Sequence, residues 1–457
     1  MFGSFPVCFA QIQSSVVSKP VTNVWYQSAG FWVWPVLHDK AQSSVLVYQP
    51  FTKSPNNLLV TIDNEDFSLT TTNLQFPDKN YVSSAAFVGD DGRQRLIYFH
   101  DETAPKICHV QLDVVNPDLE KYNLVANADI LSFEFEITYE IEFVMSPDKE
   151  SFALVVYHKD YADNISKIQV AAFDQSGNMK WEKDVLPEIE EPFIRTSNFC
   201  LDNNGTLFMP ILGIQKDKEG KKIIGQHLYL LQIGEDELLV NPVDDSFGVI
   251  SYVMTYPSKS GKIWLCGFFQ EDLNELSTET GAFIISFNPI SQEFTSADFQ
   301  VFEADYFAKY PKTDLNASHP QRPWYHLKCD NLFELPNGDV VICGEHVSRT
   351  IVHSVDYGSD SYRTGDVLVI KYHPDRSFST QIVSKIKRVF PVSGQKIGGR
   401  LLSPISRSSD KTIYISFTTM PKQTFLFLVK VKELPSPHGG QTINVSVSAL
   451  KSTATVS

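Results

Sequence analysis

A short polar turn recurs along this chain, and each time it leads into an apolar strand. Ser146-Pro147-Asp148-Lys149-Glu150 enters Phe152–Tyr157. Asp202-Asn203-Asn204-Gly205 enters Thr206–Met209, and Lys259-Ser260-Gly261-Lys262 enters Ile263–Cys266. Pro336-Asn337-Gly338-Asp339 enters Val340–Cys343, and Ser408-Ser409-Asp410-Lys411 enters Thr412–Ser416. Asp90-Asp91-Gly92 does the same for Arg95–Phe99, and a looser copy precedes Ser43–Tyr48. The turns fall near residues 40, 92, 149, 205, 261, 338 and 410, so four successive spacings are about 52, 57, 56 and 56 residues, followed by about 77 and 72. A fixed period of this size is the mark of a repeat architecture, each unit burying its faces against its neighbours.

Within a unit the apolar strand is followed by a second one and then by a more polar strand. Lys167–Phe173, turning through Asp174-Gln175-Ser176-Gly177-Asn178 into Met179–Asp184, shows the pattern most fully. Near-continuous apolar strands are buried on both faces, whereas a polar outer strand meets solvent. Asn-Gly, Asp-Gly and Ser-Gly steps supply the positive φ that tight hairpins need. With aromatic residues at 12% and no long run of helical periodicity, the chain reads as all-β. The expected fold is a single β-propeller, most simply of seven four-stranded blades, with six or eight as alternatives. Residues 1–435 would form it, with an N-terminal strand closing the ring, and the polar tail 436–457 would be disordered or supply a closing strand.

The unit resembles the general β-propeller superfamily. Phe173–Lys183, a polar turn followed by Trp181 in the outer strand, is similar to hairpins of uncharacterised bacterial propellers and to the Trp strand of quinoprotein types. The G-H…W-D spacing of WD40 repeats and the Gly-Gly pair of kelch repeats are absent. The resemblance implies a fold and leaves the function open, because propellers carry many functions.

A formal net charge of −15 argues against a nucleic-acid partner, since phosphate contacts need concentrated Lys and Arg. Lys385-Ile386-Lys387-Arg388 is the densest basic stretch and reads as a solvated strand edge. The six cysteines form no C-x-x-C pair and sit mostly in apolar runs, as small hydrophobes do. The start of the chain lacks the cationic and apolar regions of a signal peptide, and no apolar run reaches membrane-spanning length. A soluble cytoplasmic location is the default expectation, and no cofactor or metal is expected.

No metalloprotease, P-loop, dinucleotide or nucleophile-elbow motif stands in a fitting context. The two long periods predict insertions at 305–328 and 345–366, and insertions on a rigid support are where recognition sits. The first gathers His319, Arg322, Trp324, Tyr325 and His326, with His346 beyond it. The second, expected to be an exposed mobile loop, carries Arg349, His353, Tyr362 and Arg363. Aromatic and cationic side chains of this kind anchor interfaces. The sequence therefore points to a non-catalytic binding or scaffold propeller that recognises a protein or glycan partner. A hydrolase or lyase with a site in the central funnel, and a structural component of a larger assembly, are the alternatives.

Overall fold

The computed structural model describes residues 12–18, 32–38, 42–48, 57–63, 69–76, 82–89, 91–103, 105–115, 121–124, 128–160, 165–185, 189–196, 198–219, 223–244, 246, 248–271, 273, 279–309, 324–335, 337–353, 358–383, 388–392, 410–418, 423–435 and 441–453. Its strands fall into seven sheets of four or five strands, nearly all antiparallel. The helix among the described residues is one of six residues, Ala304–Lys309. Sheets of consecutive up-and-down strands are the blades of a propeller, and the protein is all-β of that class.

The chain divides into two compact units. One comprises Met1–Asp101, His109–Asp129 and Pro404–Ser457. It holds a sheet of Trp32–His38, Gln42–Tyr48, Asn57–Asp63 and Leu69–Gln75, with Lys121–Asn123 added in parallel. Asp410–Thr418, Gln423–Pro435 and Gln441–Thr453 form another, and Ile12–Ser18 pairs antiparallel with Gln441–Thr453 as its fourth strand. The polar tail is thus a strand over these residues. A core of Leu59, Leu74, Leu96, Tyr98, Val115 and Leu124 fills this unit.

The second unit, Glu102–Cys108 and Ile130–Ser403, carries four successive sheets. The first is Thr138–Met145, Ser151–Lys159, Ile165–Asp174 and Met179–Val185. The sequence reading began each repeat at its turn; the structure places a strand before the turn as well. In the second sheet every residue from 207 to 214 is buried. Leu207, Met209 and Ile211 pack with Ala153, Val155 and Ile168 of the first sheet, while Phe208, Leu212 and Ile214 pack with Leu265, Phe283 and Phe287 of the third. The alternation of a strand sends successive side chains to opposite faces. Both faces are covered, so the strand is apolar throughout rather than every second residue. Each such phenylalanine or leucine contributes about 1.5–3 kcal/mol on burial. Neighbouring sheets also meet through their first strands: Asn198 bridges Met254 in parallel, and the Thr255 N–H donates to the Asn198 carbonyl at 3.1 Å.

The recurrent turns share one geometry. Gly205 N–H donates to the Asp202 carbonyl and Asp202 N–H to the Thr206 carbonyl. The same pair of bonds closes the turns at Gly92, Gly261 and Gly338, and a one-residue-longer version closes the turn at Lys149. Gly92, Lys149, Gly205, Gly261 and Gly338 have φ of 73°, 66°, 81°, 81° and 85°. This is the three-residue hairpin loop, a type I turn followed by a left-handed residue. Asp202 Oδ1 accepts from the Asn204 and Thr206 N–H groups, which explains the acid at the turn's start.

Lys149 pays for a conformation that glycine adopts freely, about 1–2 kcal/mol, against about 0.5–1 kcal/mol of extra chain entropy for glycine. Lys149→Gly is expected to stabilise by about 0.5 kcal/mol. A Cβ at Gly205 meets nothing within 4 Å, so Gly205→Ala is expected to destabilise by about 1 kcal/mol through the backbone alone. Urea midpoints of the two variants moving in opposite directions would bear this out.

Candidate functional site

In an up-and-down sheet the turns between strands one and two and between three and four share one end. The connection between strands two and three and the crossover to the next sheet share the other. The last sheet of the second unit has both its unusual segments at this second end. Its strands are Trp324–Glu334, Val340–His353, Gly358–Tyr372 and Phe378–Val383, with Arg388–Val392 paired to the third.

The expected mobile loop at 345–366 is corrected here. It is a hairpin arm: Val347↔Thr364, Arg349↔Tyr362, Ile351↔Asp360 and His353↔Gly358 are paired to the tip. The serines and glycines that suggested a loop lie on strands whose partner satisfies the backbone. A register shift between Glu345 and Val347 marks where the arm leaves the body of the sheet. The other expected insertion begins as the helix Ala304–Lys309 and ends at the strand starting at Trp324. His319 and Arg322 lie outside the described residues.

Pairing brings the remaining predicted residues together in a defined way. Trp324 is opposite Arg349, Arg349 opposite Tyr362, and Tyr362 opposite Phe390. Directly opposed residues of an antiparallel ladder share a face. A row of Trp, Arg, Tyr and Phe therefore crosses four strands. His326 stands two residues from Trp324 and His353 four residues from Arg349 along their strands. Tyr325 and Arg363 are both opposite Ser348, one register step from that row. Leu327, further along the first strand, is buried against the preceding sheet. Phe390 was not predicted; the basic stretch before it drew attention instead.

His346 is a core residue. It is opposite Leu327, is 1% exposed, and its Nε2 lies 3.0 Å from the Tyr306 hydroxyl. Tyr306 in turn stacks on Phe302 with ring centroids 4.4 Å apart. The short helix is thereby fastened to the second strand, at the root of the arm.

The opposite end of the same sheet holds a polar cluster that sequence reasoning missed. Asp298 of the preceding sheet accepts from the Tyr372 hydroxyl and from the Arg376 guanidinium, whose Nε lies 2.9 Å away. Burial pushes the Asp298 carboxyl up, but the Arg376 and Tyr372 bonds outweigh it and hold it below the ordinary range. Burial and that carboxylate push the Tyr372 hydroxyl up to about 12. Asp339 is buried beside Asn337, Lys371 and His373. Sequence could have flagged His373-Pro374-Asp375-Arg376-Ser377 only as a turn. In the first unit, His109 Nδ1 lies 2.6 Å from Asp129 Oδ2, and the His100 and His109 rings stack at 4.8 Å. Burial pushes the Cys200 thiol up to about 12 and the Cys266 thiol well above its usual value, so both are packing residues. Among the described residues, no group of three or more His, Cys, Asp or Glu is placed to hold a metal ion, and no helix is long and apolar enough to cross a membrane.

No family model and no curated protein matches the chain. Solved structures resemble it loosely. A protein of unknown function from Dyadobacter fermentans is 10% identical over 95% of this chain and 99% of its own, with TM-score 0.38. The WD40 domain of Toxoplasma gondii coronin is 9% identical over 94% and 88%, with TM-score 0.36. A subtype N11 neuraminidase-like protein (flat-faced bat, Peru) is 11% identical over 83% and 88%, with TM-score 0.33.

Two consequences are measurable. Tyr306→Phe removes the hydrogen bond to buried His346 and is expected to cost about 1 kcal/mol, seen as a lower urea midpoint. The depressed Asp298 pKa means that the folded state binds its proton less readily than the unfolded state. Its contribution is complete above about pH 4 and is lost as pH falls through the folded value. The gap in urea midpoint between wild type and Asp298→Asn is expected to narrow from pH 6 towards pH 2; a constant gap would contradict it.

Proposed function

We propose that this protein is a binding module which engages a protein or glycan partner with the long-connection end of the last sheet of its second unit. The supporting observation is the cross-strand row of Trp324, Arg349, Tyr362 and Phe390. Trp, Tyr and Arg are the residues that most often carry binding energy, and a guanidinium beside aromatic rings adds cation–π attraction. An aromatic row also suits a sugar ring, which stacks its C–H face on such a surface. Paired strands fix these residues before any partner arrives, so less ordering entropy is lost on binding than for a loop.

His326 and His353, on the same strands as Trp324 and Arg349, extend the proposed surface, and His319 and Arg322 belong to the connection that leads into it. Tyr325 and Arg363 belong to the same strands, one register step from the row.

The test has two arms: a glycan array, and a photo-crosslinking amino acid at Tyr362 used in extract of the source cells. A glycan hit or a captured protein is expected to lose at least about tenfold in affinity with Trp324→Ala or Arg349→Ala, an effect of about 1.4 kcal/mol or more. Arg93→Ala, an exposed change in the other unit, is expected to leave it unaltered. Equal binding by all three variants, or no specific ligand in either arm, would overturn the proposal.

A further inference from the structure

At the tight-turn end of that last sheet, three side chains from three segments stand in line. His373, at the start of the turn between the third and fourth strands, has Nδ1 3.0 Å from Asp339 Oδ1 and Nε2 3.0 Å from Ser379 Oγ. Asp339 opens the second strand's pairing beside its turn, and Ser379 is on the outermost strand of the four, Phe378–Val383. Asp339 is buried, His373 half-buried and Ser379 exposed, so the line runs from the interior to solvent. We propose that Ser379, His373 and Asp339 form a nucleophilic acyl-transfer site acting on carboxylic esters.

The chemistry follows from hydrogen-bond roles. A carboxylate only accepts, so the imidazole donates from Nδ1 to Asp339. In the neutral imidazole Nε2 is then the free nitrogen that can accept from the Ser379 hydroxyl. The serine is thus paired with a base that is itself oriented by an acid, the arrangement that defines an activated serine irrespective of fold or chain order. Asp339 is held in place by the Asn337 amide at 2.9 Å and by Lys371, whose Nζ lies 3.6 Å from Oδ2. Burial pushes its carboxyl up, but the bonds from Asn337 and His373 outweigh this and keep it ionised.

Lys371 supplies a further part. It is directly opposite Ser379 in the ladder, so the two share a face on adjacent strands. Its ammonium, 3.6 Å from Asp339 Oδ2, keeps a positive charge on the strand next to Ser379, electrostatic help of the kind that acyl transfer needs. Attack of Ser379 Oγ on the ester carbonyl carbon forms the C–O bond while the hydroxyl proton passes to His373 Nε2. Collapse breaks the bond to the alcohol, which leaves with that proton. Water then repeats the sequence on the acyl-serine, releasing the carboxylic acid and restoring the hydroxyl. Esters suit this open site because an alcohol leaves with less assistance than an amine.

In this assignment Ser379 and His373 are the catalytic residues and Asp339 a positioning residue. The test is labelling of the whole protein by a fluorophosphonate, with the modified peptide mapped by mass spectrometry. Label is expected on Ser379 and not on Ser377, whose hydroxyl donates to Asp375 instead. His373→Gln is expected to slow labelling by about a thousandfold, the middle of the range for losing a positioned general base. Asp339→Asn should slow it strongly and Asp339→Glu less so, because the second keeps an acceptor-only carboxylate, whereas the amide can donate to Nδ1 and favour the wrong tautomer. Wild-type protein hydrolysing p-nitrophenyl acetate, and Ser379→Ala failing to do so, would support the site further. Wild-type protein that takes up no label, label on Ser377 at an equal rate, or a rate indifferent to His373 would overturn it.

Discussion

Leu207 to Ile214 have no solvent side, and the second unit's sheets depend on that. A lone sheet of this size would have one apolar face and one polar face. Here Leu207, Met209 and Ile211 are claimed by one neighbour and Phe208, Leu212 and Ile214 by the other. Each sheet is therefore stable only between two others, as in any stacked repeat. The same demand explains why Ile263–Phe268 and Ala282–Phe287 are apolar without alternation. It also explains why polar groups that must sit inside the stack are tied across it. Ser258 donates to Glu334 at 2.7 Å and Lys183 donates to the Gly234 carbonyl at 2.7 Å, each joining one sheet to the next at the tight-turn end.

Those tight turns were the legible part of the sequence because their constraint is local. A left-handed residue after a type I turn favours glycine, and Gly92, Gly205, Gly261 and Gly338 announce it. Strands preceding the turns were harder to see. Thr138–Met145 mixes Glu140 and Glu142 with Ile141 and Phe143, and the half-burial of this strand hides the apolar contrast that marks the middle ones. The arm at 345–366 was misread for a related reason. Ser348, Thr350, Ser359 and Ser361 are loop-like by composition, but two chains paired to each other need no core to satisfy their backbones.

The candidate surface was legible as a list of residues and not as an arrangement. Trp324, Arg349 and Tyr362 are separated along the chain and become neighbours only through register, which no local pattern specifies. Register likewise sets Tyr325 and Arg363 opposite Ser348, one step from that row. His346 could not be told from His326 by sequence, since what distinguishes it is Tyr306, forty residues away across a helix. Nor could Asp339, His373 and Ser379 be associated, because each lies in an ordinary turn or edge strand and only the closure of two turns at one end aligns them.

One sheet thus presents different chemistry at its two ends, and its construction separates them. The tight-turn end is short-looped, and its charges are held by fixed partners: Asp298 by Arg376 and Tyr372, Asp339 by Asn337 and Lys371. Fixed geometry of that kind suits proton transfer, which fails when donor and acceptor drift. The long-connection end extends beyond the body of the sheet after the shift at Glu345, and its aromatic row is spaced by the ladder. Spacing by a ladder suits the recognition of an extended surface, where several modest contacts add. The Tyr306–His346 bond stands at the boundary, fastening the arm's root to the buried stack. A partner held on the arm would therefore load the second strand, Val340–His353, which begins beside Asp339; the two ends are joined by one continuous stretch of paired backbone.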